Sequence, residues 1–185
     1  MLIFLFNIRK TTPRLLKHKV FSKNIVLCRN TAAILLVSYF EAYSKDYFLN
    51  IVNRNPKYGL PFLDKSLKIE DIKEYGFDLS KSIGSLISKK INFQNIDEVE
   101  QAYGRAFKVD IFNQNLSLRK KLVKLFQDRH ILVHNNGKID KKYISITKCN
   151  KNNLRKRIII TKKQLKEYTT VILAIADNIE RIKII

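Results

Sequence analysis

Between residues 31 and 52 the apolar side chains Ile34, Leu35, Val37, Phe40, Tyr43, Tyr47, Phe48 and Ile51 recur at steps of three and four. That period predicts a long amphipathic helix, and the Pro- and Gly-bearing stretch 53–61 ends it in a loop. A second helical pattern follows Asp78 through Leu79, Ile83, Leu86 and Ile87, with Asp78 placed to cap it. Asp97, with Glu100 three residues on, has the form of a capping box for a third helix reaching about Phe107. A fourth starts near Leu116 and aligns Leu118, Leu122, Leu125, Phe126, Leu132 and Val133 on one stripe. After Gly137 the period changes. Residues 143–146 alternate weakly, and 155–161 read as a short strand or an extended arm. Thr161 with Gln164 is another capping box, opening a last helix to about Ile182 through Leu165, Tyr168, Ile172, Ile175 and Ile179. The expected fold is all-α, an up-and-down bundle of four to five helices with a short extended or β insertion before the last one.

Composition limits the size of this object and suggests its partners. A chain of 185 residues, 45% hydrophobic and 28% charged, suits one core, so residues 24–185 are expected to form a single helical domain behind a basic N-terminal extension, 1–23. The 36 Lys and Arg against 16 Asp and Glu give a formal charge of +20. Such an excess favours polyanions, although a Lys-, Asn- and Ile-rich composition would raise total charge by itself. The distribution says more: 138–166 holds eleven basic residues and one acidic, while 64–100 holds eight acidic and six basic. The positive field should therefore be lopsided, as a binding face would be. Cys28 and Cys149 form no CxxC pair, which fits a reducing cytoplasm. The apolar start, Met1 to Phe6, is too short for a signal core, and the run from Ala32 to Phe40 falls below the roughly 18–20 residues of a membrane span. A soluble, cytoplasmic protein without a membrane partner is expected.

Candidate chemistry gathers at the end of the fourth helix. The apolar stripe continues from Phe126 to position 129, and that residue is Arg129. A guanidinium on an apolar face needs a partner: either a structural ion pair, with Asp128 or a carboxylate from another helix, or an anion bound across an interface. His130 and His134 follow, two of the three histidines in the chain. Their spacing suits one helix face, but Ile131 stands where an HExxH zinc motif needs Glu, and no other ligand has supporting spacing; no metal site is assigned. Asn135, Asn136 and Gly137 form a stop suited to a left-handed cap, so His134 closes the helix. Arg129 and His134, five residues apart, project about 140° from each other on an ideal helix. They could converge if the helix loosens at Asn135, or if the site borrows a residue from a second protomer.

An arginine, a polar residue, a short apolar run and a histidine ending a late helix resemble the Arg-(four to six residues)-His signature of the HEPN superfamily. The segment Arg129-His130-Ile131-Leu132-Val133-His134-Asn135-Asn136-Gly137 is similar to the branch associated with RiboL-PSP systems. Ser38 to Tyr43, Ile91 to Asp97, and Tyr143 nine residues past His134 agree with it. The resemblance covers roughly residues 31–182. It implies a homodimer in which two motifs face each other in a composite cleft, and RNase activity without metal or other cofactor. Carried over, Arg129 orients the scissile phosphate, His134 is general acid or base, and His130 and Asn135 support the site. Glu41 on the first helix is a further supporting candidate, since a carboxylate there can approach the motif; otherwise it forms an exposed pair with Lys45. Lys138, Arg155, Lys156 and Arg157 are candidates for tracking an RNA backbone, as is the basic stretch 9–23. Tyr39, Tyr43 and Tyr47 fit core or interface better than base stacking. The expected function is a toxin or defence endoribonuclease acting on RNA, with a cognate antitoxin as a further partner. The alternatives are a non-catalytic HEPN module that binds RNA, a nucleotide or a protein, and a structural or immunity component in which Arg129 is a buried ion-pair residue.

Overall fold

A computed structural model describes residues 19–63, 69–78 and 83–182, with side chains except at 19–23 and 71. Among these residues it is all-α. The helices are α1 (Lys19–Arg54), α2 (Ile69–Lys73), α3 (Ile83–Ser88), α4 (Ile96–Phe107), α5 (Leu116–His134), α6 (Lys141–Thr147) and α7 (Lys162–Glu180). Two 3-10 turns, Pro56–Phe62 and Lys151–Asn153, lie between them. The first helix begins at Lys19, so the extension assigned to 1–23 runs into α1, and residues 1–18 lie outside the described part.

Long helix α1 is the hub. It packs on α3, α5 and α7 through Ala33, Leu36, Val37, Phe40, Phe48, Ile51 and Val52, all buried. Contacts fix its direction: Asn30 accepts the backbone N–H of Ile160 at 3.1 Å near the start of α7, and the Tyr43 hydroxyl donates to Glu180 at 3.0 Å near its end. The two helices therefore run parallel. By length and composition α1 could also cross a membrane, with a mean hydropathy of 1.4 in its most apolar window over Asn24–Arg54. A core helix passes the same test: eight of the described α1 side chains, Ser44 among them, are buried here, although only 22% of that most apolar window is. Phe48 lies at the centre of an aromatic cluster with Phe62, Phe93, Tyr103 and Phe107, ring centroids 5.3–5.8 Å away. Gly84 lets α3 come close: its N–H donates to Asn53 Oδ1 at 2.7 Å, and a Cβ would stand 2.9 Å from the Leu49 carbonyl.

Several sequence expectations shift. Asn95, not Asp97, caps α4, accepting from the Asp97 N–H at 3.1 Å and leaving Asp97 in the first turn. The helix expected after Asp78 is described from Ile83, and residues 79–82, where the cap would act, lie outside the described residues. The capping box of Thr161 and Gln164 is present at α7. Tyr43 and Tyr47 are half-buried against α7, and Tyr39 is exposed.

The insertion before the last helix is the main correction. Residues 143–146 are not extended; they belong to α6, which starts because Asp140 accepts the Tyr143 N–H at 2.7 Å. What remains of the extended expectation is one antiparallel bridge between Lys138 and Arg157. Two backbone bonds extend that pairing, Ile158 N–H to the Gly137 carbonyl and Arg155 N–H to the Ile139 carbonyl, each 2.8 Å. The insertion also has a small core of its own, Ile131, Ile139 and Tyr143.

Candidate active site at the end of α5

Helix α5 starts where Asn115 accepts the Leu118 N–H at 3.0 Å and stays regular to its last residue. The Asn135 N–H still bonds the Ile131 carbonyl at 3.1 Å. The chain then turns through Asn136 (φ 50°) and Gly137 (φ 72°), the left-handed pair expected of this stop. Because α5 does not loosen before Asn135, Arg129 and His134 stay about 140° apart on its surface. One chain does not bring them onto a common face.

Arg129 points toward α1. Its guanidinium is 3.9 Å from the Glu41 carboxylate, with the two side chains 20% and 12% exposed. The partner is therefore Glu41, not the adjacent Asp128, and Glu41 is drawn inward rather than spent on Lys45. The contact is loose, since a well-formed Arg–carboxylate pair is bidentate at about 2.7–2.9 Å. Two atoms are left over: Glu41 Oε1 and Arg129 Nε are buried without a hydrogen-bond partner. Burial raises the Glu41 carboxyl above its ordinary range, and the charge of Arg129 only partly offsets this.

His130 and His134 are exposed side by side, ring centroids 5.0 Å apart. The His130 imidazole titrates below its ordinary value. Burial is the largest cause; the charges of His134, Lys142 and Arg129 add to it, and Asp140 opposes it. His130 is thus largely neutral near pH 7 and able to accept a proton. Asn135 does something else: its amide donates to the Lys138 carbonyl at 2.6 Å and shapes the loop. Lys138, Arg155, Lys156 and Arg157 are exposed and brought together by the Lys138–Arg157 bridge, next to that loop.

One sequence expectation on α5 does not hold. Val133 is 47% exposed and leaves the apolar stripe. Its place on the inner surface is taken by Ile131 and by Asp128, which is fully buried. Asp128 Oδ1 accepts from the Tyr143 hydroxyl at 2.6 Å, and Oδ2 from Lys124 at 2.8 Å and from the Tyr168 hydroxyl. This carboxylate ties α6 and α7 to α5 one residue before Arg129. Sequence reasoning missed it, although Lys124 and Asp128 at the i, i+4 spacing were a usable signal. Among the described residues no group of three His, Cys, Asp or Glu side chains is placed to hold a metal ion.

No known protein family, curated protein or solved structure matches this chain.

Proposed function

We propose that this protein is a metal-independent endoribonuclease of the HEPN type, a cytoplasmic toxin or defence effector whose homodimer completes the active site. The observation that carries the proposal is the half-made pair of Arg129 and Glu41: a sheltered guanidinium at 3.9 Å from its carboxylate, with Nε unpartnered, on the helix turn that also carries the neighbouring imidazoles of His130 and His134. Buried polar atoms without partners call for an explanation. A phosphate oxygen meeting Arg129 would supply the missing acceptor with a charge-assisted bond. Glu41 would hold the guanidinium in place until then.

The chemistry follows from these groups. The ribose 2′-oxygen attacks the adjacent phosphorus while an imidazole takes its proton. The bond from phosphorus to the 5′-oxygen breaks, and a second, protonated imidazole delivers a proton to that oxygen. The products are a 2′,3′-cyclic phosphate and a 5′-hydroxyl, and Arg129 stabilises the charge gathering on the non-bridging oxygens. His130 and His134, side by side on α5, are the two imidazoles that would share these roles. Since Arg129 and His134 diverge on one helix, a second protomer facing the first brings an arginine of one to a histidine of the other.

The test is RNA cleavage by the purified protein in EDTA. Cleavage is expected to persist under chelation and to fall by about two to four orders of magnitude in Arg129→Ala and in His134→Ala. Activity lost to chelation, or kept in both variants, overturns the proposal. Salt-dependent RNA binding without any cleavage would assign the non-catalytic module instead.

A further inference from the structure

We propose that a groove on the outer flank of α6 binds the RNA strand flanking the cleaved phosphate, its lysines taking phosphates and its apolar floor taking a base. The inference rests on the reading of the protein as acting on RNA. The groove has a volume of about 610 Å³ and lies between α6 and the turn after it. Lys141, Lys148 and Lys151 stand on its rim, and Ile144 and Leu154 line its floor. Lys141, Ile144 and Ser145 share one face of α6 at helical spacing, and Lys148, the left-handed residue that ends the helix, continues the rim.

Charge decides what fits. The three lysines are exposed and make no ion pair among the described residues, and no carboxylate lines the groove. Across 138–157 eight basic residues face one acidic residue, and that one, Asp140, is engaged in capping α6. A second groove of about 420 Å³, between α5 and α7, also carries lysines, Lys163 and Lys166, but it includes a carboxylate, Glu167, which pairs with its Lys121 at 2.8 Å, and it lies away from the insertion. Unpaired cations suit the phosphates of a single strand, and the aliphatic floor beside them, which has no aromatic ring to stack on, can still bury one face of a base.

Position and rigidity agree. Ile144 and Cys149 pack against the small core of Ile131, Ile139 and Tyr143, so the floor is anchored to the helix that bears the candidate site. Lys142, on the opposite side of α6 from Ile144, is near enough to influence His130. A strand leaving the histidines would cross Lys142 and α6 before entering the groove. Exposed Lys138, Arg155, Lys156 and Arg157 on the same insertion widen the basic surface.

Cys149 makes the proposal measurable without cleavage, because it lines the groove and Cys28 is the chain's other thiol. In Cys28→Ser, an oligoribonucleotide methylated at every 2′-oxygen, which cannot be cut, is expected to slow alkylation of Cys149 several-fold. The double variant Lys148→Asn with Lys151→Gln should lose that protection; Asn tolerates the left-handed backbone at 148, where φ is 54°. Loss of two phosphate contacts should also flatten the log–log salt dependence of RNA binding by about 1.4. Cleavage of a dinucleotide, too short to reach the groove, should be unchanged while KM for long RNA rises. Protection without any cleavage supports the groove and sinks the nuclease reading. Cleavage with no protection, an unaltered salt slope in the double variant, or protection by polyglutamate but not by RNA overturns the groove.

Discussion

Arg129 tests the two explanations for a charge at the edge of a core. A structural ion pair would be costly to break, because the surviving partner is left buried and charged. Here the separation is 3.9 Å, too long for a hydrogen bond, so the attraction returns little for the cost of sheltering both charges, and Glu41, its carboxyl already raised by burial, can take up a proton when the guanidinium is removed. Arg129→Ala should therefore shift chemical-denaturation stability by no more than about 1 kcal/mol, in either direction, while cutting cleavage by about two to four orders of magnitude. A loss of several kcal/mol would make the residue a structural one. Glu41 carries a sign of its own. With its folded pKa raised, the folded state binds more protons than the unfolded state just above pH 4.5, so the contribution of Glu41 is lost as pH rises through the folded value. Glu41→Gln should remove that slope in denaturation midpoints measured between pH 4 and 7. His130 runs the other way: its folded pKa is lowered, so stability falls as pH drops below about 6.5. Lys142→Gln or His134→Ala should raise the His130 pKa in an NMR titration, since each removes a charge that now depresses it. The sequence already contained most of this site. Arg129 interrupts a stripe, and two histidines stand four apart beside a left-handed stop. Its pairing with Glu41 was legible only as one option, because the two residues stand 88 positions apart in the chain and periodicity assigns no partner across that distance.

At the scale of elements, α6 hangs on one buried carboxylate. Asp128 accepts bonds from Tyr143 of α6, Tyr168 of α7 and Lys124 of its own helix. Hydrogen bonds to a charged group contribute about 1.5–3 kcal/mol each, and unsatisfied leftovers add to the loss. Asp128→Ala should cost about 3 kcal/mol or more and strip α6 of its amide-exchange protection, with Tyr143→Phe costing about half as much. Burial and the Asp128 charge push the Tyr143 and Tyr168 hydroxyls above their ordinary value. The folded state then keeps phenolic protons that the unfolded state gives up, so stability should fall as pH climbs past about 10. Denaturation followed by tyrosinate absorbance would show unfolding and ionisation arriving together. The helix itself was misread from sequence for a physical reason. Four residues are too few to separate a period of 2 from one of 3.6, and Tyr143 faces inward because of Asp128, a contact no local pattern encodes. The longer helices α1, α4, α5 and α7 were legible because each repeats its stripe over three turns or more.

For the molecule as a whole, the excess of twenty positive charges sets two effects against each other under salt. Self-repulsion among like charges destabilises the compact state. The surface pairs Lys89–Glu74, Arg119–Asp97 and Lys121–Glu167 offset little of it, because each is exposed and screened by solvent. Raising ionic strength from 0.01 to 0.15 M shortens the screening length from about 30 to about 8 Å, which relieves long-range repulsion more than it weakens contacts at bonding distance. The thermal midpoint should therefore rise with KCl. RNA affinity should fall over the same range, because every phosphate contact releases a counterion to an increasingly concentrated solution. The two trends separate composition from function. A charge excess that reflected only compositional bias would give the rise in stability but no specific surface. Neutralising the 138–157 cluster would then weaken RNA binding no more than neutralising an equal number of lysines elsewhere. A functional surface predicts inequality: equal changes in net charge shift the midpoint equally, yet only substitutions on the insertion flatten the salt dependence of binding.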